Sequence, residues 1–94
     1  MPKAALLGDI GTGHDGFPPT PIIAASTTVM VDGKPLARKG DPLAPHDKPK
    51  NPLHPRAISG GSSTVMIDGL PAARIGDAVS CGGVLTGGST VNIG

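Results

Sequence analysis

An internal repeat constrains this chain more than any other feature. Ser26-Thr27-Thr28-Val29-Met30-Val31-Asp32-Gly33-Lys34-Pro35-Leu36-Ala37-Arg38-Lys39-Gly40-Asp41 aligns without a gap on Ser62 to Asp77 at an offset of 36 residues. A third copy is divided between the termini. Lys3-Ala4-Ala5-Leu6-Leu7-Gly8-Asp9 resembles the second half of the unit, and Ser89-Thr90-Val91-Asn92-Ile93-Gly94 resembles the first half. Repeats fix architecture because each unit buries its apolar face only against its neighbours. A unit split in this way requires the two ends of the chain to meet.

Each contiguous unit reads as a β-hairpin. Thr28 to Val31 and Thr64 to Ile67 alternate, and an Asp-Gly pair follows each. Such a pair suits the two-residue type I′ turn, in which both central residues need positive φ. Val29 and Val31, Val65 and Ile67, and Val91 and Ile93 are expected to share the core-facing side of their strands. Pro35 and Pro71 fall early in the return strand, where a missing N–H is tolerated. The last strand, Val91 to Ile93, is expected to pair with the first, Ala4 to Leu7, so that the sheet edges close. The fold class is therefore all-β, with three hairpin repeats in pseudo-threefold arrangement. Ala5, Ala37 and Ala73 occupy matching positions where the axis demands small side chains.

Composition limits what else can hold such a fold together. The sequence has 94 residues, which make one domain over 1–94, and it contains one Phe and no Trp or Tyr. A short chain without large aromatic residues has a thin core and needs a further constraint. One cysteine cannot form an intrachain disulfide. Eight basic against seven acidic residues give a net charge of +1, with no basic stripe or stacking platform, so nucleic acid is an unfavoured partner. The N-terminal apolar run is too short for a signal peptide, and no stretch is long and apolar enough to span a membrane. We therefore expect synthesis in the cytosol, with export dependent on a dedicated machine.

The constraint is legible in the loops. Every unit ends in Gly-Asp, and His14 follows Asp9 by five residues, His46 follows Asp41 by five, and Cys81 follows Asp77 by four. Under threefold closure these loops leave the same end of the structure, so three metal-binding side chains distant in sequence converge. Imidazole nitrogen and thiolate sulfur are donors that zinc prefers. The connection from Asp41 to Val65 is the longest and carries His54 among Pro42, Pro45, Pro49, Pro52 and Pro55. That extra length places a fourth donor, which completes a tetrahedral shell with no open position, as structural zinc requires. Asp9, Asp41 and Asp77 are expected to form turns after Gly rather than to accept from the metal ligands. Arg38 and Arg74 are expected to bind neighbouring turns. Leu6 stands in place of arginine in the split unit, so no threefold arginine function follows.

Pro71-Ala72-Ala73-Arg74 and its variant Pro35-Leu36-Ala37-Arg38, taken with the repeat and the His/Cys set, resemble the PAAR-repeat family over essentially the whole chain. The resemblance implies a small three-sided conical fold with a metal-bound tip, capping the spike of the bacterial type VI secretion system. One chain would sit on each trimeric valine-glycine repeat protein (VgrG), as a monomer on its own, with effector proteins as optional cargo. Localisation would be cytoplasmic before firing and then secreted, with transient contact at the target membrane. It also implies one structural zinc ion held by His14, His46, His54 and Cys81, and no enzymatic activity. Two alternatives stand beside it: a free-standing zinc-binding adaptor, and a zinc hydrolase using an open metal position. The second lacks any glutamate and any HExxH helix in this sequence.

Overall fold

The repeat is visible first in the backbone hydrogen bonds. The structure, a computed structural model, describes residues 2–14, 16–46 and 54–94, with residue 54 described by its backbone alone. No helix occurs among the described residues. The strands are β1 (Ile10–Gly11), β2 (Thr20–Pro21), β3 (Met30–Val31), β4 (Lys34–Pro35), β5 (Pro42–His46), β6 (His54–Ala57), β7 (Met66–Ile67), β8 (Leu70–Pro71) and β9 (Leu85–Thr86). They form one three-stranded sheet in the order β2-β1-β9 and three two-stranded sheets, β3-β4, β5-β6 and β7-β8, all antiparallel.

The Asp-Gly turns form as the sequence predicts. Met30 pairs with Pro35 and Val31 with Lys34, while Met66 pairs with Pro71 and Ile67 with Leu70. Each turn thus contains two residues, with φ of 53° at Asp32 and Asp68, 77° at Gly33 and 80° at Gly69. This double positive φ matches the right-handed twist of the flanking strands, and glycine adopts it without a steric cost.

Between the hairpins the units are joined in a ring. Ala37 N–H donates to Ala5 O at 2.9 Å, Ala5 N–H to Ala73 O at 3.0 Å, and Ala73 N–H to Ala37 O at 3.0 Å. A second ring runs in the opposite direction: Leu7 N–H to Pro35 O, Lys39 N–H to Pro71 O, and Ile75 N–H to Lys3 O. Three interior segments thereby satisfy alternate backbone N–H groups from one another, as buried peptide groups require. Ala5, Ala37 and Ala73 are completely buried. The split unit takes its place in the ring through both ends of the chain.

Two details differ from the sequence expectation. The terminal strand pairs with Pro2 to Ala4 rather than Ala4 to Leu7: Ala4 N–H donates to Val91 O, Ile93 N–H donates to Pro2 O, and Lys3 lies opposite Asn92. Ala5 and Leu7 are unavailable because the rings already use their N–H groups. Val91 is 41% exposed, whereas Ile93 is buried and Val29, Val31, Val65 and Ile67 are partly buried against the core. Val91 also lies two residues after Ser89, whereas Val29 and Val65 lie three after the buried Ser26 and Ser62, so this strand enters in a different register.

Two apolar clusters divide the interior. Ala4, Leu6, Leu36, Ala72 and Ile93 form the one on which the hairpin valines and Ile67 pack. Ala5, Ile22, Ala37, Leu43, Ile58, Ala73, Val79 and Leu85 form the other, against which Cys81 packs. In the latter, Ile22, Ile58 and Leu85 are equivalent, and the next matching set is Leu43, Val79 and Gly11. Gly11 breaks the symmetry for a steric reason: a Cβ there would overlap the Leu43 side chain and crowd Val79 and Arg56. The molecule is elongated, with extents of 40 × 24 × 21 Å.

Candidate metal centre

The loops that leave the second cluster bring His14, His46 and Cys81 together. One ligand atom from each lies within 4.8 Å of the other two. His46 ends β5 and is buried. Its Nδ1 lies 2.8 Å from the Pro18 carbonyl oxygen. A carbonyl only accepts, so the proton is on Nδ1 and the lone pair on Nε2. That Nε2 faces Cys81 Sγ at 3.6 Å. Bond lengths of about 2.0–2.1 Å to nitrogen and about 2.3 Å to sulfur, at a tetrahedral angle, place such a pair about 3.6 Å apart. The donor set and spacing therefore fit a zinc-sized ion.

His14 is positioned by its own short hairpin, in which its N–H donates to Phe17 O and Phe17 N–H donates back to His14 O. Phe17, the only phenylalanine, lines the site. Its ring centroid lies 5.3 Å from that of His14 and 4.9 Å from that of His46, with interplanar angles of 29° and 30°. These contacts hold both imidazoles in orientation and keep water from one side of them.

Arg56 is the larger surprise. It lies on β6, is 2% exposed, and donates to Gly11 O and Thr20 Oγ1 at 3.0 and 2.9 Å, to Thr12 O, to Gly82 O at 3.2 Å, and through Nε to Cys81 Sγ at 3.3 Å. One guanidinium thus ties the loops carrying His14 and Cys81 to the strand that returns from the His46 loop. It also points an N–H at the sulfur, the arrangement that orients a metal thiolate. Its five donors in a fixed fork suit this task in a way that a lysine could not.

His54 pairs by its backbone with His46 across β5 and β6. Its side chain lies outside the described residues, so its part in the ligand set remains an expectation from sequence. Asp9, Asp41 and Asp77 are not directed at the metal site. Each accepts the backbone N–H three residues earlier, at Leu6, Arg38 and Arg74, at 2.7–2.8 Å. They close turns, as their position after glycine suggested.

Arg38 and Arg74 also reinforce those turns, each gripping Asp41 or Asp77 through two nitrogens. The pairing raises both guanidinium pKa values, chiefly through these side-chain hydrogen bonds. Neither Arg56 nor Phe17 carried a repeat signal. The positions equivalent to Arg56, two before Ile22 and Leu85, are Thr20 and Gly83.

Comparison with protein families matches the model described as PAAR motif to residues 12–87. No curated protein matches the sequence significantly.

Proposed function

The chain belongs to the PAAR-motif family, whose model spans residues 12–87, and from that membership we propose that it is the tip of a type VI secretion spike. In this reading it caps one trimeric VgrG protein, carries effectors where they are attached, and is sharpened by one structural zinc held by His14, His46, Cys81 and His54.

The observation that carries the reading is the ring of backbone bonds among Ala5, Ala37 and Ala73. A single chain with three equivalent faces can satisfy a threefold partner with one copy, whereas any other repeat number would leave faces of the partner unmatched. The hairpins are suited to that contact. Met30 and Met66, at equivalent positions, are each 57% exposed, and Val91 adds a further apolar side chain. Adaptable methionines and open strand edges favour strand-to-strand docking on a β-rich partner.

The other apolar cluster, against which Cys81 packs, adjoins the metal site, where metal bonds would add to apolar burial. Zinc bound there supplies a crosslink worth about 10–16 kcal/mol of apparent free energy in small zinc domains. His46 contributes a preset tautomer and Arg56 a fixed sulfur position. Co-purification with the trimeric spike protein, read by native mass spectrometry, tests the proposal. One chain per trimer is expected; three per trimer, or no complex, overturns it.

A further inference from the structure

The missing arginine of the split unit leaves a cavity. It measures about 190 Å³ and is lined by Leu6, Asp9, Asp32, Lys34, Gly88 and Ser89. The intact units show what such a place holds. Arg38 binds Asp41 through Nε and Nη2 at 3.0 and 2.9 Å, and reaches Asp68, in the turn of the next unit, through Nη1 at 3.0 Å. Arg74 binds Asp77 in the same way and donates to Gly61 O at 3.2 Å. By the repeat, Leu6 matches Arg38 and Arg74, Asp9 matches Asp41 and Asp77, Asp32 matches Asp68, and Gly88 matches Gly61.

The match extends to the surrounding bonds. Thr28 and Ser26 donate to Asp68, and Thr90 donates through N–H and Oγ1 to Asp32 at 2.7 and 2.6 Å. Leu6 N–H donates to Asp9 Oδ2 as Arg38 N–H donates to Asp41 Oδ2. The carboxylates that grip Arg38 and Arg74 thus have counterparts here in Asp9 and Asp32, around a space that no arginine of the chain fills.

We propose that the cavity between Asp9 and Asp32 is a receptor for a guanidinium group, presented as an arginine side chain by a partner polypeptide. Two carboxylates at these positions favour a planar cation with several donors over an ammonium, as in bidentate carboxylate recognition. Lys34, which also lines the cavity, competes by charge but has the wrong geometry for the fork. This site does not depend on the metal or on the spike reading, and its test leaves both untouched.

The experiment is an NMR titration of the ¹⁵N-labelled full chain with N-acetyl-arginine methylamide, against N-acetyl-citrulline methylamide as the neutral isostere. Saturable shifts centred on Asp9, Asp32, Gly88 and Ser89 are expected from the arginine compound only. Asp9→Asn should weaken them by about fivefold or more, since it removes one of two charged acceptors. In Leu6→Arg the tethered guanidinium fills the cavity and the response should vanish. Absence of saturable shifts, an equal response to citrulline, or an undiminished response in Asp9→Asn or Leu6→Arg overturns the proposal.

Discussion

Arg56 has the most at stake of any single residue. Its removal leaves the carbonyls of Gly11, Thr12 and Gly82 without the donor they share, in a region where the guanidinium is 2% exposed. A buried polar group left unsatisfied costs about 1–3 kcal/mol. Arg56→Met is therefore expected to lose about 3 kcal/mol or more, which for a chain of this size lowers the melting temperature by at least about 12 °C. Thermal melts of the zinc-loaded protein check this, and a shift of a few degrees would contradict it. The sequence exposes His14, His46 and Cys81 because each follows the Gly-Asp of its own unit. It hides Arg56 and Phe17, which serve the asymmetric interior of the site and have no counterparts in the other units. A lone arginine in a proline-rich loop has no spacing from which burial could be inferred.

Among the elements, the hairpins are the most predictable, since Asp-Gly dictates a turn that needs no tertiary support to be recognised. What sequence does not disclose is how each turn aspartate is used afterwards. Asp68 accepts from Ser26 Oγ and Thr28 Oγ1 and pairs with Arg38, and Asp32 accepts from Thr90. These bonds hold both carboxyls below the usual aspartate range, led at Asp68 by the Ser26 hydroxyl and at Asp32 by the Thr90 hydroxyl. A depressed folded pKa contributes stability that is complete above the unfolded value and is lost as pH falls through the folded one. Asp68→Asn keeps a residue that tolerates the left-handed turn. The gap in melting temperature between wild type and Asp68→Asn should accordingly be constant from neutral pH down to about pH 4 and close below it. A gap unchanged at about pH 2 would contradict the assigned role. The pairing of the last strand was legible only in outline, because backbone rings among three distant segments decide which N–H groups remain for it.

At the scale of the whole molecule, closure of the split repeat organises everything else. Ile93 N–H lies 2.8 Å from Pro2 O, so residues 2 and 93 lie side by side. Linking residues 1 and 94 through a short glycine linker removes freedom mainly from the unfolded chain, an effect worth about 2–4 kcal/mol for a loop closed by a disulfide. The cyclised protein should melt higher than the linear one; a lower melting temperature would show that the ends do not meet as described. Threefold order was readable because two copies align without a gap and the third is complete once the termini are laid end to end. Its departures at Gly11 and Leu6 were visible as letters, but their meaning needed the packing of Leu43 and the cavity beside Asp9. Above all, this order brings one histidine or cysteine per unit to a place where a single metal ion could bind all three. Zinc-edge X-ray absorption on protein purified without added metal tests it most directly. One zinc per chain is expected, with one sulfur at about 2.3 Å and nitrogens at about 2.0–2.1 Å. A folded protein without metal, or a zinc shell without sulfur, would contradict it.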